Sequence, residues 1–245
     1  MVFFDKKGMG REMLLTMIRS GNMDIISIIV YIISSLMVIF LVMPLHEWAH
    51  GFIANKLGDR TAKLQGRLTL NPLAHIDYLG AAMILLIGFG WAKPVPVDPR
   101  YFKKPKRDMA LTALAGPVSN LLAAIVSGLI FNIIMTVLIK SNAYYSIESS
   151  VMLYVLLFFR YLMMINVSLA VFNFIPIPPL DGSKILMAFL PNKAVFWIEK
   201  NQMYITIVFI IAVMMGGVGN VIYPVQSVLC DVINWLTALP FSWAW

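Results

Sequence analysis

Residues 24–45 read DIISIIVYIISSLMVIFLVMPL, and this stretch decides the fold class. It carries no charge after Asp24, and its 22 residues form a helix long enough to cross the roughly 30 Å hydrocarbon core of a bilayer. HEWAHGFIANKLG follows without a break other than Pro44, which membrane helices tolerate. We therefore predict one long helix over residues 24–57, ended by Gly58.

The composition of the whole chain agrees with an integral membrane protein. The 245 residues are 60% hydrophobic and 13% charged, whereas a typical soluble domain is about 45–50% apolar and about 25% charged. This composition argues against a soluble enzyme, a disordered chain and a disulfide-rich secreted module. The net charge of +7 suits basic loops facing anionic lipid. We expect no nucleic-acid partner, because no basic face interleaves with exposed aromatic residues.

Further apolar stretches follow the first. Residues 109–139 and 151–174 are predicted as the second and third spans, and residues 194–215 as a fourth. Residues 219–239 contain interspersed polar side chains and are either a fifth span or an interfacial helix. In residues 1–23 basic and apolar side chains are mixed, which suggests a short helix on the membrane surface.

Two segments after the first helix do not have the pattern of a full membrane span. Residues 60–70, RTAKLQGRLTL, alternate polar and apolar side chains, which predicts a β-strand with one solvated face. Residues 78–92 are apolar, but 15 helical residues cover only about 22 Å and three of these are glycine. A re-entrant or partly inserted segment therefore fits better there than a full span.

The sequence HEWAH at residues 46–50 carries the strongest chemical signal. His46 and His50 project from one face of a helix and can hold one Zn²⁺ through their ring nitrogens. Glu47 can then take a proton from a water that the metal acidifies. The same three residues could instead form a hydrogen-bonded polar cluster. However, ionisable residues inside an apolar helix are costly and by default functional.

A catalytic zinc site needs a third protein ligand and an open position for water. Asp181 follows NFIPIPPL, whose prolines force extended backbone where the third span ends. It is either that ligand or the N-cap of a helix that begins near Ser183. His75 could be an extra polar group near the metal or a structural turn histidine paired with Asp77. We favour the structural role, because three ligands and a water already fill a tetrahedral site.

HEWAH together with NFIPIPPLDG two spans later resembles the site-2 protease family of intramembrane zinc metalloproteases, peptidase family M50. The resemblance covers roughly residues 24–190, and GRLTLNPLAHID and AGPVSN look like its small prokaryotic branch without PDZ or CBS domains. It implies a single catalytic zinc held by His46, His50 and Asp181, with Glu47 as the general base. It also suggests that Asn173 lies near the substrate or the tetrahedral intermediate.

The expected architecture is an all-α polytopic membrane protein. It comprises an N-terminal interfacial segment (1–23), a three-helix catalytic core (24–190) with a small membrane-associated β-strand and re-entrant region after its first helix, and additional C-terminal helices (191–245). The implied substrate is a transmembrane protein in a prokaryotic inner or plasma membrane. The strand at 60–70 is hypothesised to pair with the unwound substrate by strand addition.

The ligand set also predicts topology. HEWAH and LDG must meet, so the first and third spans run parallel and the second runs opposite. Ten basic residues lie between positions 55 and 109, against one in 140–149. Because positive charge favours the cytoplasm, the active site is predicted near the cytoplasmic face. The four basic residues of 1–23 would then lie outside, against the same rule.

Two other functions fit parts of the pattern. A non-catalytic metal-binding or transport protein would need an ion path, and no second set of membrane carboxylates appears. A membrane scaffold without activity would have lost a ligand or the base, and HEWAH keeps all of these residues.

Overall fold

The computed structural model describes residues 29, 32–33, 35–87, 90–141, 151–215 and 219–244. The predicted interfacial segment 1–23 and the beginning of the predicted first helix lie outside these residues. The helices, numbered here in chain order, are α1 (Ser35–Leu57), α2 (Thr61–Leu64), α3 (Tyr78–Ile87), α4 (Pro105–Lys140), α5 (Val151–Asn173), α6 (Asp181–Met187), α7 (Asn192–Lys200), α8 (Gln202–Met214) and α9 (Gly219–Ala238). Short 3₁₀ turns occur at Pro72–Ala74, Pro99–Tyr101 and Leu239–Ala244.

Three of these helices, α1, α4 and α5, are long and apolar enough to cross a membrane. The chain is thus an all-α polytopic membrane protein, as predicted. The 36-residue α4 is the central element and packs against α1, α5 and α6. Its interface with α5 and α9 is closed by a buried cluster of Ala124, Met163, Val167 and Ile233. Burial of such apolar side chains between helices fixes their relative positions.

Helix α1 contains a π-helical turn at Val38–Val42, directly before Pro44. Pro44 has no N–H to donate to the preceding turn, and the N–H of Met43 instead reaches back to the Val38 carbonyl. The helix ends at Gly58, as predicted. Gly58 has a φ of 116° and donates its N–H to the carbonyls of the last turn. A residue with a Cβ would be strained in that conformation.

The prediction of a β-strand at residues 60–70 is wrong. The segment begins with the helical turn α2 and reverses at Gly66, and no strand occurs in the described part of the chain. The side chain of Asp59 is fully buried and accepts hydrogen bonds from the N–H groups of Thr61 (2.9 Å) and Asp98 (2.7 Å). A buried carboxylate at the start of a segment stabilises a helical turn there, which overrides the alternating pattern. The hypothesis that this segment pairs with the substrate by strand addition is therefore also wrong, because it required a strand at residues 60–70.

Helix α3 has ten residues and is far too short to span a bilayer. The backbone of Gly80 lies against the carbonyl of Trp91, so close that a Cβ on Gly80 would overlap it. The N–H of Lys93 donates to the carbonyl of His75 at 2.8 Å. The two ends of the segment therefore lie side by side, as the predicted re-entrant segment requires.

The predicted fourth span, residues 194–215, is broken into α7 and α8, which meet at an angle of 67°. Asn201 lies at the break, where its side-chain amide donates to the carbonyl of Trp197 at 2.7 Å. The carbonyl of Trp197 accepts from both the backbone N–H and the side-chain amide of Asn201, so this residue caps the last turn of α7. Helix α9 corresponds to the predicted segment 219–239 and is not among the described helices apolar enough to be a candidate span.

Candidate metal centre

His46 and His50 lie one turn apart on α1, in the half that follows the π-helical turn. Their Nε2 atoms are 3.0 Å apart. His50 is buried and the side chain of His46 is only 12% exposed. The spacing of four residues brings both rings to one face, as predicted from HEWAH.

Asp181 meets the two rings from another part of the chain. Its Oδ2 lies 3.1 Å from Nε2 of His46 and 3.2 Å from Nε2 of His50. The alternative role as an N-cap is not observed, because Asp181 is the first residue of α6 and Leu180 occupies the cap position. The amide and hydroxyl of Ser183 both donate to the carbonyl of Leu180. The Asp181 carboxyl is therefore available to the histidines.

Residues of α4 contact the Nδ1 atoms of both imidazoles. Nδ1 of His50 lies 2.7 Å from the carbonyl of Thr112, an acceptor only, so that Nδ1 carries the proton. Nδ1 of His46 lies 3.2 Å from the side-chain amide of Asn120. The Oδ1 atom of Asn120 is buried without a partner, and turning the amide over presents this oxygen to a proton on Nδ1. Both Nε2 atoms then direct lone pairs toward Asp181.

When both Nε2 atoms are unprotonated, as metal ligation requires, three acceptor atoms face one another at 3.0–3.2 Å. Oδ2 of Asp181 is buried without a hydrogen-bond donor. This arrangement is unfavourable unless a cation lies among the three atoms. Tetrahedral coordination at zinc–nitrogen distances of 2.0–2.1 Å needs ligand atoms about 3.3 Å apart, close to the observed separations. The donor set of two imidazoles and one carboxylate, with a fourth side open, fits a catalytic zinc ion.

The charge state of Asp181 suits a metal ligand. In the absence of a metal ion, burial raises the pKa of this carboxyl, but hydrogen bonds from protonated His46 and His50 and the positive charge of these imidazoles lower it by more. The resulting pKa lies below the ordinary value for aspartate. Asp181 is therefore an anion at neutral pH.

Gly116 of α4 allows the close approach of this helix to the two rings. A Cβ on Gly116 would lie 2.5 Å from Cε1 of His46 and 2.5 Å from Nε2 of His50. Real Cβ atoms essentially never approach other atoms so closely. Position 116 thus has to be glycine for the imidazoles to keep their present places.

Glu47 lies at the same cavity, beside the histidines. Its Oε2 accepts a hydrogen bond of 2.8 Å from the backbone N–H of Val95, in the extended segment that follows α3. This bond fixes one carboxylate oxygen and leaves Oε1 for other partners. The cavity has a volume of about 670 Å³ and is lined by residues that include His46, Glu47, His50, Trp91, Phe172, Asn173, Asp181 and Phe209.

The two remaining sequence candidates are placed differently. Asn173 is the last residue of α5 and lines the cavity, with its amide donating to the carbonyl of Leu169 at 3.0 Å. His75 is buried and outside the metal cluster; its Nε2 lies 2.8 Å from the carbonyl of Thr69. Asp77 is engaged elsewhere, as it accepts from the N–H of Gly80. The structure thus brings together His46, His50 and Asp181, and leaves His75 in the base of the re-entrant segment.

Sequence reasoning missed the residues that support the centre. The carbonyl of Thr112 and the N–H of Val95 are backbone groups, so no side-chain pattern could reveal them. Gly116 and Asn120 belong to AGPVSN, which helped to indicate the family but received no role. A buried asparagine and a glycine four residues apart on one face of a predicted span were the available signal.

Comparison with known proteins agrees with this site. Residues 34–216 match the sequence model of peptidase family M50. The chain is 36% identical over 208 residues to "Putative zinc metalloprotease YwhC" of Bacillus subtilis (strain 168), which covers 85% of this chain and 91% of that protein. It is 31% identical over 147 residues to "Putative zinc metalloprotease Rip2" of Mycolicibacterium smegmatis, covering 56% of this chain and 50% of that protein. No solved structure gives a significant match.

Proposed function

The chain belongs to peptidase family M50 and is a zinc metalloprotease, and from that premise we propose that it hydrolyses peptide bonds within or near transmembrane segments of other membrane proteins. One observation carries the proposal. The ligand atoms of His46, His50 and Asp181 all lie within 4.8 Å of one another, and the two histidines belong to a candidate membrane span.

In the proposed site, Nε2 of His46, Nε2 of His50 and Oδ2 of Asp181 would hold one zinc ion. The ion, when bound, supplies a Lewis acid that polarises the scissile carbonyl and lowers the pKa of water. The carbonyl of Thr112 holds the proton of His50 on Nδ1, and Oδ1 of Asn120, with the side-chain amide turned over, would do the same for His46, which keeps Nε2 free as a ligand atom.

Glu47 is the proposed general base. The N–H of Val95 holds its Oε2, so Oε1 is the oxygen that takes a proton from the attacking water. The water oxygen bonds to the carbonyl carbon, and the carbon–nitrogen bond of the peptide breaks. Glu47 then returns the proton to the leaving nitrogen, so that an acid and an amine are formed.

The cavity suits a membrane-embedded substrate. Its walls are mainly apolar, with Trp91, Phe172 and Phe209 among them, and Asn173 is the proposed polar contact to the substrate backbone. A helical substrate would have to unwind locally before a peptide bond reached the metal, because helical hydrogen bonds cover the backbone. We therefore expect helix-breaking residues near the cleavage site.

The proposed active site lies near the cytoplasmic face of a bacterial cytoplasmic membrane. Asp181 follows the end of α5, His50 lies near the end of α1, and both reach the N-terminal part of α4. These three helix ends therefore share one side of the membrane. The ten basic residues between positions 55 and 109 lie on that side, which the positive-inside rule assigns to the cytoplasm.

Reconstituted protein tests the proposal. Wild type and Glu47→Gln are placed in liposomes with single-span model substrates that carry a glycine–proline pair at different depths, and the products are mapped by mass spectrometry. Wild type is expected to cut inside the apolar segment. The Glu47→Gln variant is expected to retain one zinc per chain and to cleave about a hundredfold more slowly or worse, because the base is lost.

Glu199→Gln is the matched control, since Glu199 is exposed on α7 and does not line the cavity. It should cleave like wild type. Cleavage only in soluble loops would contradict an intramembrane substrate, whereas full activity of Glu47→Gln would contradict the role of Glu47.

A further inference from the structure

An apolar groove of about 690 Å³ runs along the contact between α4 and α6. One wall is formed by Ala110, Leu111 and Leu114 of α4, and the other by Ile185 and Phe189 of α6 and its following turn. Leu114 lies three and four positions after Leu111 and Ala110, and Phe189 lies four positions after Ile185, so the residues of each wall line one side of their segment. The groove is therefore an elongated channel along two apolar stripes.

The groove is separate from the metal centre. Helix α4 contributes Met109, Thr112 and Ala113 to the cavity of the metal centre, and the intervening residues of its opposite face to the groove. The side chain of Leu111 is 42% exposed and that of Phe189 is 83% exposed. These apolar side chains are open to the surroundings of the protein and have no cover within the described residues.

Three cations lie at one end of the groove, namely Lys104, Lys106 and Arg107. Nζ of Lys106 donates to the carbonyl of Leu190 at 2.8 Å and so bridges the two walls. Arg107 pairs with Asp108 at 2.7 Å. No carboxylate pairs with Lys104 or Lys106 in the part of the chain that the structure describes. This end of the groove therefore carries an excess of positive charge.

The position of the cations relative to the membrane points to a lipid. Helix α4 is a candidate span that begins at Pro105, so the three cations lie at its end, where lipid headgroups are found. The apolar stripes extend from there along the span. A molecule with an anionic head and a long apolar tail matches both parts of the groove.

We propose that this groove binds one anionic phospholipid, with its phosphate at Lys104 and Lys106 and an acyl chain along Leu111 and Leu114. Basic side chains near a membrane surface attract anionic lipid, and each contributes about a fivefold gain in affinity. The lipid would also contact α6, whose first residue is Asp181. The groove thus connects the lipid composition of the membrane to the helix that carries Asp181, the third proposed ligand and the acidic one.

Native mass spectrometry of the full-length protein in detergent tests the lipid site. The probes are phosphatidylglycerol and phosphatidylcholine with identical acyl chains. Wild type is expected to retain phosphatidylglycerol preferentially. In the triple variant Lys104→Gln, Lys106→Gln, Arg107→Gln, the preference for phosphatidylglycerol over phosphatidylcholine is expected to fall by at least about tenfold, since two of the three cations lack an acidic partner.

A matched triple variant removes three positive charges around the end of α1 and the start of α2, at Lys56, Arg60 and Lys63, each replaced by glutamine. It should keep the preference. An equal loss in both triple variants would overturn the site in favour of a general charge effect. Ala110→Leu fills the apolar part and should weaken retention of phosphatidylglycerol about tenfold or more, because it displaces the acyl chain while all cations remain.

Two further results would contradict the proposal. Undiminished phosphatidylglycerol binding in Ala110→Leu would show that the apolar groove holds no acyl chain. Complete competition by soluble glycerol phosphate at the concentration of the lipid would show that the cations bind free phosphate. Thermal unfolding of each variant confirms that it is folded before its lipid binding is compared.

Discussion

Replacing Gly116 by alanine should weaken metal binding strongly while leaving the fold intact. The added Cβ would lie 2.5 Å from Cε1 of His46 and from Nε2 of His50, and ordinary contact begins at 3.4 Å. The rings would have to retreat by about 0.9 Å, which is several times the roughly 0.2 Å tolerance of a metal–ligand distance. Because two of the three ligands move, we expect zinc affinity to fall by about a hundredfold or more.

The assay is zinc content by mass spectrometry after dialysis against a zinc buffer, together with thermal unfolding before and after addition of a chelator. Gly128→Ala is the matched control on the same helix. Its Cβ would lie 3.0 Å from Oγ1 of Thr237 and 3.3 Å from Sδ of Met163, far from the centre. It should bind zinc like wild type. If Gly116→Ala binds zinc with normal affinity, the close packing of α4 does not hold the imidazoles in their metal-binding positions.

The other predictions concern the ligands and their surroundings. The Asp181→Asn variant should bind zinc at least about a hundredfold more weakly than wild type. Its zinc-free form should nevertheless have a higher Tm, because the new amide can donate to the lone pairs of His46 and His50. A lower Tm without zinc would contradict the inference that three acceptors converge. Asn120→Leu should weaken zinc binding about tenfold to a hundredfold, measured by competition with a chelating dye, since His46 loses its partner at Nδ1. The His75→Phe variant should retain zinc and activity. Its free energy of unfolding, measured with denaturant, should fall by about 1–3 kcal/mol, because the carbonyl of Thr69 loses its partner. Loss of zinc would instead place His75 in the metal centre.

The sequence predicted the membrane-spanning elements well because their signal is local. Lipid requires about 20 consecutive apolar residues, and this requirement is visible in the chain without knowledge of its neighbours. The signal for the two histidines on α1 is also local, since helix geometry alone places them on one face. Residues 46–50 therefore carried a large share of the information about the site.

The wrong or incomplete predictions depended on contacts between distant segments. The alternation at 60–70 did not predict that Asp59 would be buried against residue 98, some 40 positions later, and would stabilise a turn. The single span predicted at 194–215 did not take into account the bend at Asn201, whose side chain caps the last turn of α7. Likewise the support of the imidazoles by Thr112 and Asn120 arises from the packing of α4 on α1, which no periodicity encodes.

The separation of the ligands along the chain has a consequence for biosynthesis. His46 and His50 leave the ribosome well before Asp181, which follows the third long apolar helix. Until that helix has been inserted and has folded back on the first, the nascent chain offers only two of the three groups. If these three residues hold the metal ion, a partly synthesised copy has no complete centre and is inactive until α5 and Asp181 are in place.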